Sequence, residues 1–226
     1  MIITGEISTI HKRTYSMSAR KVKSVVYSVH PSVEYAQAVL RNLPDKTGYS
    51  IIDWIEKLEN SSRNTVKERK QWLKDEFGVG GTTANIIANF SLGEAEEMTD
   101  PEAYLQMAPK YVAKMYSGEK EPLRPIYDEI VDRILTFGPD IRICPVKTIV
   151  SVYRNNVIAQ IKPTTKKRVD LGLCLKNYHR TIPEWIINTG GTQKGDRITH
   201  RIALNSVDEI NDKVIHWLKI AYDLDK

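Results

Sequence analysis

The stretch Ile161-Lys162-Pro163-Thr164-Thr165-Lys166-Lys167-Arg168-Val169-Asp170 gathers the side chains best suited to chemistry in this chain. An arginine fork matches two oxygens of a phosphate or carboxylate, and a lysine adds a mobile point charge. The hydroxyls of Thr164 and Thr165, with neighbouring main-chain amides, can complete a cradle for such an anion. Asp170 among these cations has two readings: an ion-pair partner that fixes them in place, or a group that touches a substrate. A second loop, Asn188-Thr189-Gly190-Gly191-Thr192-Gln193-Lys194-Gly195-Asp196-Arg197, holds three glycines and two cations. It reads either as an anion-binding lid carrying Lys194 and Arg197 or as a long connection into an edge strand.

Catalysis has less to work with. The candidate groups are Asp170 and His200, and the alternation of the strand around His200 puts that imidazole on the apolar side. The five histidines show no ligand spacing, and Cys144 and Cys174 form no CxxC pair, so no metal and no cofactor are expected. Metal-dependent phosphodiester cleavage needs clustered carboxylates, and only Asp170, Glu184 and Asp196 lie in the basic region. Lys147 beside Cys144 favours a thiolate, but Pro145 and a buried strand end favour plain packing.

These residues belong to a wider imbalance. From Ile141 to Asn205 there are twelve Lys/Arg against three acids, a net +9, in a chain whose total is +5. A single-sign field on one module attracts anions and steers charged partners. Nucleic-acid phosphates or a small phosphorylated ligand are the partners this implies. A hydrolase or transferase acting on a phosphorylated or nucleotide substrate is the alternative, and a protein-interaction adaptor is a third reading. No run of eighteen apolar residues is present, so a non-membrane, cytoplasmic protein with reduced thiols is expected. A homo-oligomer is compatible with the sequence and is not specified by it.

The elements that must position the cations follow from periodicity. Residues 30–92 carry four successive helical patterns and read as an all-helical domain. Ser32 is read as the cap of the first helix; Ser50 with Asp53 and Thr65 with Glu68 have capping-box spacing. Gly78-Val79-Gly80-Gly81-Thr82-Thr83 lacks the Lys-Ser/Thr ending of a phosphate loop and follows a helix, which favours a helix–helix turn. Through Met98 the chain holds thirteen basic and twelve acidic residues, too balanced for a DNA-reading unit alone.

Residues 93–118 read as an acidic, turn-like linker over Gly93 to Asp100 and a connecting helix opened by Pro101. From 119 to 226 the pattern predicts an α+β domain. One helix after Pro122 precedes five branched-residue strands: 141–144, 148–153, 157–162, 169–175 and 198–204. Their short connections favour an antiparallel meander, and a final helix introduced by a Ser206–Glu209 box covers one face. The predicted fold is therefore α+β, a helical domain followed by an antiparallel sheet packed against helices.

Strand phase then puts Val169, Leu171, Leu173 and Leu175 toward the core and Arg168, Asp170 and Cys174 away from it. Lys162, Arg168, Asp170 and Arg201 are expected to share the face away from the helix, with Lys147 and Arg154 joining from the preceding strand and Lys166 at its turn. Residues 1–29 form a basic extension with Lys12, Arg13, Arg20, Lys21 and Lys23 against Glu6.

Two sets of residues carry a resemblance. His30-Pro31-Ser32-Val33, Lys46-Thr47-Gly48 and Asp53-Trp54-Ile55 resemble the start of a bacterial helical domain of unknown function. Arg124-Pro125-Ile126-Tyr127-Asp128, Cys144-Pro145-Val146-Lys147-Thr148, Tyr153-Arg154, Ile161-Lys162-Pro163-Thr164-Thr165 and Asp196-Arg197-Ile198-Thr199-His200-Arg201 resemble a second uncharacterised domain, similar to the C-terminal part of predicted transport proteins. The resemblance implies an architecture and brings no catalytic residue with it. The transport label is not carried over, because no membrane-spanning segment is read in the chain.

Overall fold

A computed structural model describes residues 25–226; the basic extension lies almost wholly outside the described residues. The chain folds as a helical unit followed by a six-stranded antiparallel sheet with helices, an α+β protein.

The helical unit contains α1 (Pro31–Arg41), α2 (Leu43–Thr47), α3 (Ile51–Glu59), α4 (Val66–Phe77) and α5 (Gly81–Ser91). Both expected capping boxes form: Ser50 and Thr65 accept the N3 amides while Asp53 and Glu68 reach back to the cap amides. Such reciprocal pairs satisfy donors that a helix start leaves open. Their hydrogen bonds hold the Asp53 and Glu68 carboxyls below the usual range. Gly78 closes α4 in the left-handed region at φ 64°, where a side chain would be strained. Val79 and Ala84 then seal the α4–α5 turn into a core around Trp54, Leu58 and Leu73.

Three local expectations are corrected. The cap of α1 is His30, whose Nδ1 accepts the Ser32 amide at 3.0 Å; with Pro31 at the first helical position, the helix starts two residues earlier than the hydroxyl pattern suggests. The acidic stretch before Pro101 contains a short helix, α6 (Glu96–Thr99). The Ser206–Glu209 box does not form. Val207–Glu209 make a 3-10 turn, and Asn211 caps the last helix with its own side chain. An asparagine directly before the helix competes better than a box placed a turn too early.

Helix α7 (Pro101–Met115) runs from the helical unit to the sheet, where the Tyr104 hydroxyl donates to the Pro145 carbonyl at 2.7 Å. A 3-10 turn over Gly118–Leu123 leads into α8 (Arg124–Ile134). The strands are β1 (Arg142–Val146), β2 (Ile149–Tyr153), β3 (Val157–Thr165), β4 (Arg168–Leu173), β5 (Ile187–Asn188) and β6 (His200–Leu204), with α9 (Gly191–Lys194) between the last two and α10 (Asp212–Leu224) closing the fold. Their order is β1-β2-β3-β4-β6-β5. The first four strands make the expected meander; β5 is a two-residue edge strand inside what the sequence presents as a loop.

Alternation works as expected on β4. Val169, Leu171 and Leu173 are fully buried and pack with Ile130, Ile134, Val214 and Leu218 of α8 and α10. One sheet face is therefore the floor of the core, and the outward residues of the same strands form a second face.

Candidate anion-binding face

The registers fix which residues share the outer face. Lys162 is paired with Asp170 across β3 and β4, Asp170 with Ala203 across β4 and β6, and Gly172 with Arg201. Directly opposed residues of an antiparallel pair point to the same side. Lys162, Asp170 and Arg201 therefore stand together on the face turned away from α8 and α10.

Asp170 is the centre of this group. Its side chain is 14% exposed, and its Oδ1 lies 2.9 Å from both Arg168 Nε and Arg201 Nη1. The Arg201 contact is a hydrogen bond. The Arg168 Nε–H is buried and not aligned on that oxygen, so the short approach is an electrostatic contact; a longer bond of 3.4 Å runs from Nη2 to Oδ2. One carboxylate thus holds two guanidinium groups while both remain roughly 30% open to solvent. Lys162 beside it is exposed and has no ion-pair partner among the described residues.

The β3–β4 turn is pinned from below. Lys120 donates to the Pro163 carbonyl at 2.6 Å, and Lys166 pairs with Glu119 at 2.7 Å. Thr165 Oγ1 accepts the Lys167 amide, and Thr164 Oγ1 donates weakly to the Lys162 carbonyl at 3.4 Å. The Thr164 hydroxyl donates within the turn, whereas the Thr165 hydroxyl accepts there and keeps its own proton to donate.

Other expected members stand apart. Lys147, in the β1–β2 turn, pairs with Glu97 at 3.3 Å, because that turn meets the helical unit. Arg154 lies past the irregularity at the end of β2, at the opposite end of the sheet from the β3–β4 turn. It binds Asp140 at 2.7 Å and the Tyr222 carbonyl at 3.1 Å, and its guanidinium stacks 4.3 Å from the Tyr222 ring. Lys194 and Arg197 are exposed on the loop around α9, without ion pairs among the described residues.

His200 pairs with Leu173, on the core side, with Nδ1 2.9 Å from Thr199 Oγ1. Burial lowers its pKa. Asp170 and His200 point to opposite sides of the sheet, so they do not form an acid–base pair. Burial pushes the Cys144 thiol up to about 11, which opposes thiolate chemistry. Among the described residues, no group of three or more His, Cys, Asp or Glu is placed to hold a metal, and no helix is long and apolar enough to cross a membrane.

Alternation misplaces two residues at the start of the last strand. Pairing begins at His200, so Ile198 escapes the strand phase; its Cγ2 lies where a Cβ on Gly172 would come within 2.7 Å, over the outer face. Thr199 is fully buried, and its hydroxyl accepts the Leu175 amide at 3.2 Å. Gly172 inside a strand was the signal for that close approach. Ile187, opposite Arg201, also belongs to the outer face and lay in a stretch without strand periodicity.

Comparison with curated proteins and with solved structures returns no match. A family model described as a domain of unknown function (DUF4287) matches residues 35–91, which lie within the helical unit. A second, described as a domain of unknown function (DUF5655), matches residues 112–225, the sheet with α8 and α10 and just over half of the chain. The protein therefore belongs to the DUF5655 family, here preceded by a DUF4287 segment.

Proposed function

We propose that this protein is an anion-binding module whose outer sheet face recognises nucleic-acid phosphates or a small phosphorylated ligand. The observation that carries the reading is the bridge from Asp170 to both Arg168 and Arg201, beside an unpaired Lys162. Such an arrangement fixes two planar forks in advance, so little side-chain freedom is lost when an oxyanion docks. Net positive charge remains after Asp170 is counted. A wholly structural role for the cluster is the competing account, since partly exposed ion pairs recur on protein surfaces.

Recognition is better supported than turnover. Asp170 is engaged by two arginines, and His200 faces the core, so the face offers no free base next to its cations.

The test is binding of a fluorescein-labelled oligonucleotide and of a fluorescent ATP analogue by the full chain, with and without Lys162→Glu. Lys162 is exposed and outside the ion-pair bridge, so its reversal removes no ion pair among the described residues, and circular dichroism of the variant checks that the sheet tolerates a second carboxylate opposite Asp170. Binding that weakens in the variant and falls steeply with salt supports the reading. Retention unchanged by the reversal, or no binding of either probe, removes it.

A further inference from the structure

The outer face carries apolar as well as basic groups at one end. Ile187 on β5 stands opposite Arg201, and it is 39% exposed. Trp185, two residues earlier in the Pro183–Ile186 turn, is 43% exposed and has no ring partner among the described residues. The other tryptophans are placed differently. Trp54 is 1% exposed in the helical core, Trp217 is 6% exposed against Tyr178, and Trp72 packs edge-on to Phe77 under the Arg63 guanidinium. Exposed cations lie in the segments that lead into and out of β5: Lys176, Arg180, Lys194 and Arg197.

Across the sheet, Lys162, Asp170, Arg201 and Ile187 occupy four adjacent strands, a span of roughly 14 Å at about 4.8 Å per strand. A basic track ending in an exposed indole matches one class of polyanion. Duplex DNA offers phosphates but keeps its bases stacked and inaccessible to a flat sheet. A single strand offers phosphates to the cations and free base faces to an aromatic side chain. A small inorganic anion makes no use of the indole.

We infer that the face accepts a single strand of nucleic acid, its phosphates along Lys162, Arg168 and Arg201 and one base stacked on Trp185 at the β5 edge. The inference rests on the proposed anion-binding reading and adds the substrate class to it.

The experiment uses the full chain, a fluorescein-labelled dT20 and a 20-base-pair duplex, compared by anisotropy at matched salt. The indole contact is read separately by quenching of tryptophan emission with unlabelled dT20. The expected results are tighter binding of dT20 than of the duplex and a loss of about tenfold in dT20 affinity for Trp185→Ala. Trp185→Phe is expected to retain most of that affinity, and Trp185→Ala to abolish the quenching. Equal dT20 affinity for wild type and Trp185→Ala, or a preference for the duplex, overturns the single-strand inference. If Lys162→Glu still weakens binding in that case, the anion-binding reading survives without it. If neither dT20 nor the duplex binds the wild type, the single-strand inference falls, and the anion-binding reading is then decided by the ATP analogue.

Discussion

His30 Nε2 lies 3.2 Å from the Tyr153 hydroxyl, a contact between positions 123 apart that ties the first helix of the helical unit to the second strand of the sheet. The imidazole stands edge-on to the Tyr153 ring, with centroids 5.6 Å apart. On its other side Nδ1 accepts the Ser32 amide and caps α1. A nitrogen that accepts a backbone N–H carries no proton, so the ring is neutral and its Nε2–H donates to Tyr153. The joint between the two units therefore depends on an uncharged histidine.

Acid should loosen this joint. Burial lowers the His30 pKa below its ordinary value near 6.5, and among the described residues no carboxylate is paired with the ring. Between the unfolded pKa and the lower folded pKa the unfolded chain binds more protons, so stability rises with pH through that window. The contribution is complete above about pH 6.5 and is lost as pH falls toward the folded pKa. His200 shifts in the same direction and adds to the trend. Thermal melts between pH 7.5 and pH 5 should show a falling midpoint. His30→Asn keeps a capping oxygen and removes the titration, so its slope should be shallower. Equal slopes for the two proteins would place the pH dependence elsewhere.

Asp170→Asn separates the two roles open to that carboxylate. If it serves to hold Arg168 and Arg201, its neutralisation adds a unit of positive charge to the face and frees both forks. Stability should drop by about 1–2 kcal/mol, less than for a fully buried pair because the arginines stay partly solvated. Polyanion affinity should rise or hold in the folded variant. A folded Asp170→Asn protein that loses binding instead would show that the carboxylate itself contacts the ligand. Urea denaturation and anisotropy on the same preparation distinguish these outcomes.

The sequence was most legible where local rules and tertiary packing agree. The boxes at Ser50 and Thr65 and the stop at Gly78 require nothing beyond their own turns. The phase of Val169 to Leu173 follows from period two with one buried face. Arg168, Asp170 and Arg201 came together because the register is set by that same buried face. Lys147 and Arg154 departed for a different reason. Each finds a carboxylate distant in sequence, Glu97 and Asp140, and partners at that separation leave no mark in a periodic pattern. Ile187 and Asn188 were hidden because a two-residue edge strand has too few positions to alternate.

Gly191 is a further point of constraint. A Cβ there would sit 2.3 Å from the Ile198 carbonyl oxygen, a backbone atom that cannot swing aside. Gly191→Ala should displace the α9 loop from the approach to β6. The Asp196 amide, now bonded to the Gly191 carbonyl, and the Thr189 amide, bonded to Thr199, should lose hydrogen-exchange protection. Unchanged protection at both amides would mean that the loop absorbs the methyl without moving.

Tyr104→Phe tests a further link between helices and sheet. The phenol is buried and protonated across the accessible pH range, and its donation to the Pro145 carbonyl is the only change the substitution makes. Pro145 lies on β1, where Ser28 already pairs with Ile143, so the lost bond leaves a buried carbonyl in a region otherwise fixed. The expected cost is about 1–2 kcal/mol. Because the bond joins α7 to β1, the loss should also weaken coupling between the units. In a Trp185→Phe, Trp217→Phe background, where the remaining Trp54 and Trp72 both lie in the helical unit, tryptophan emission and far-ultraviolet circular dichroism should then give urea midpoints that no longer coincide. Coincident midpoints with an unchanged free energy would show that the units stay coupled without this bond, through the packing of Val33, Tyr104 and Ala108 and the His30–Tyr153 contact.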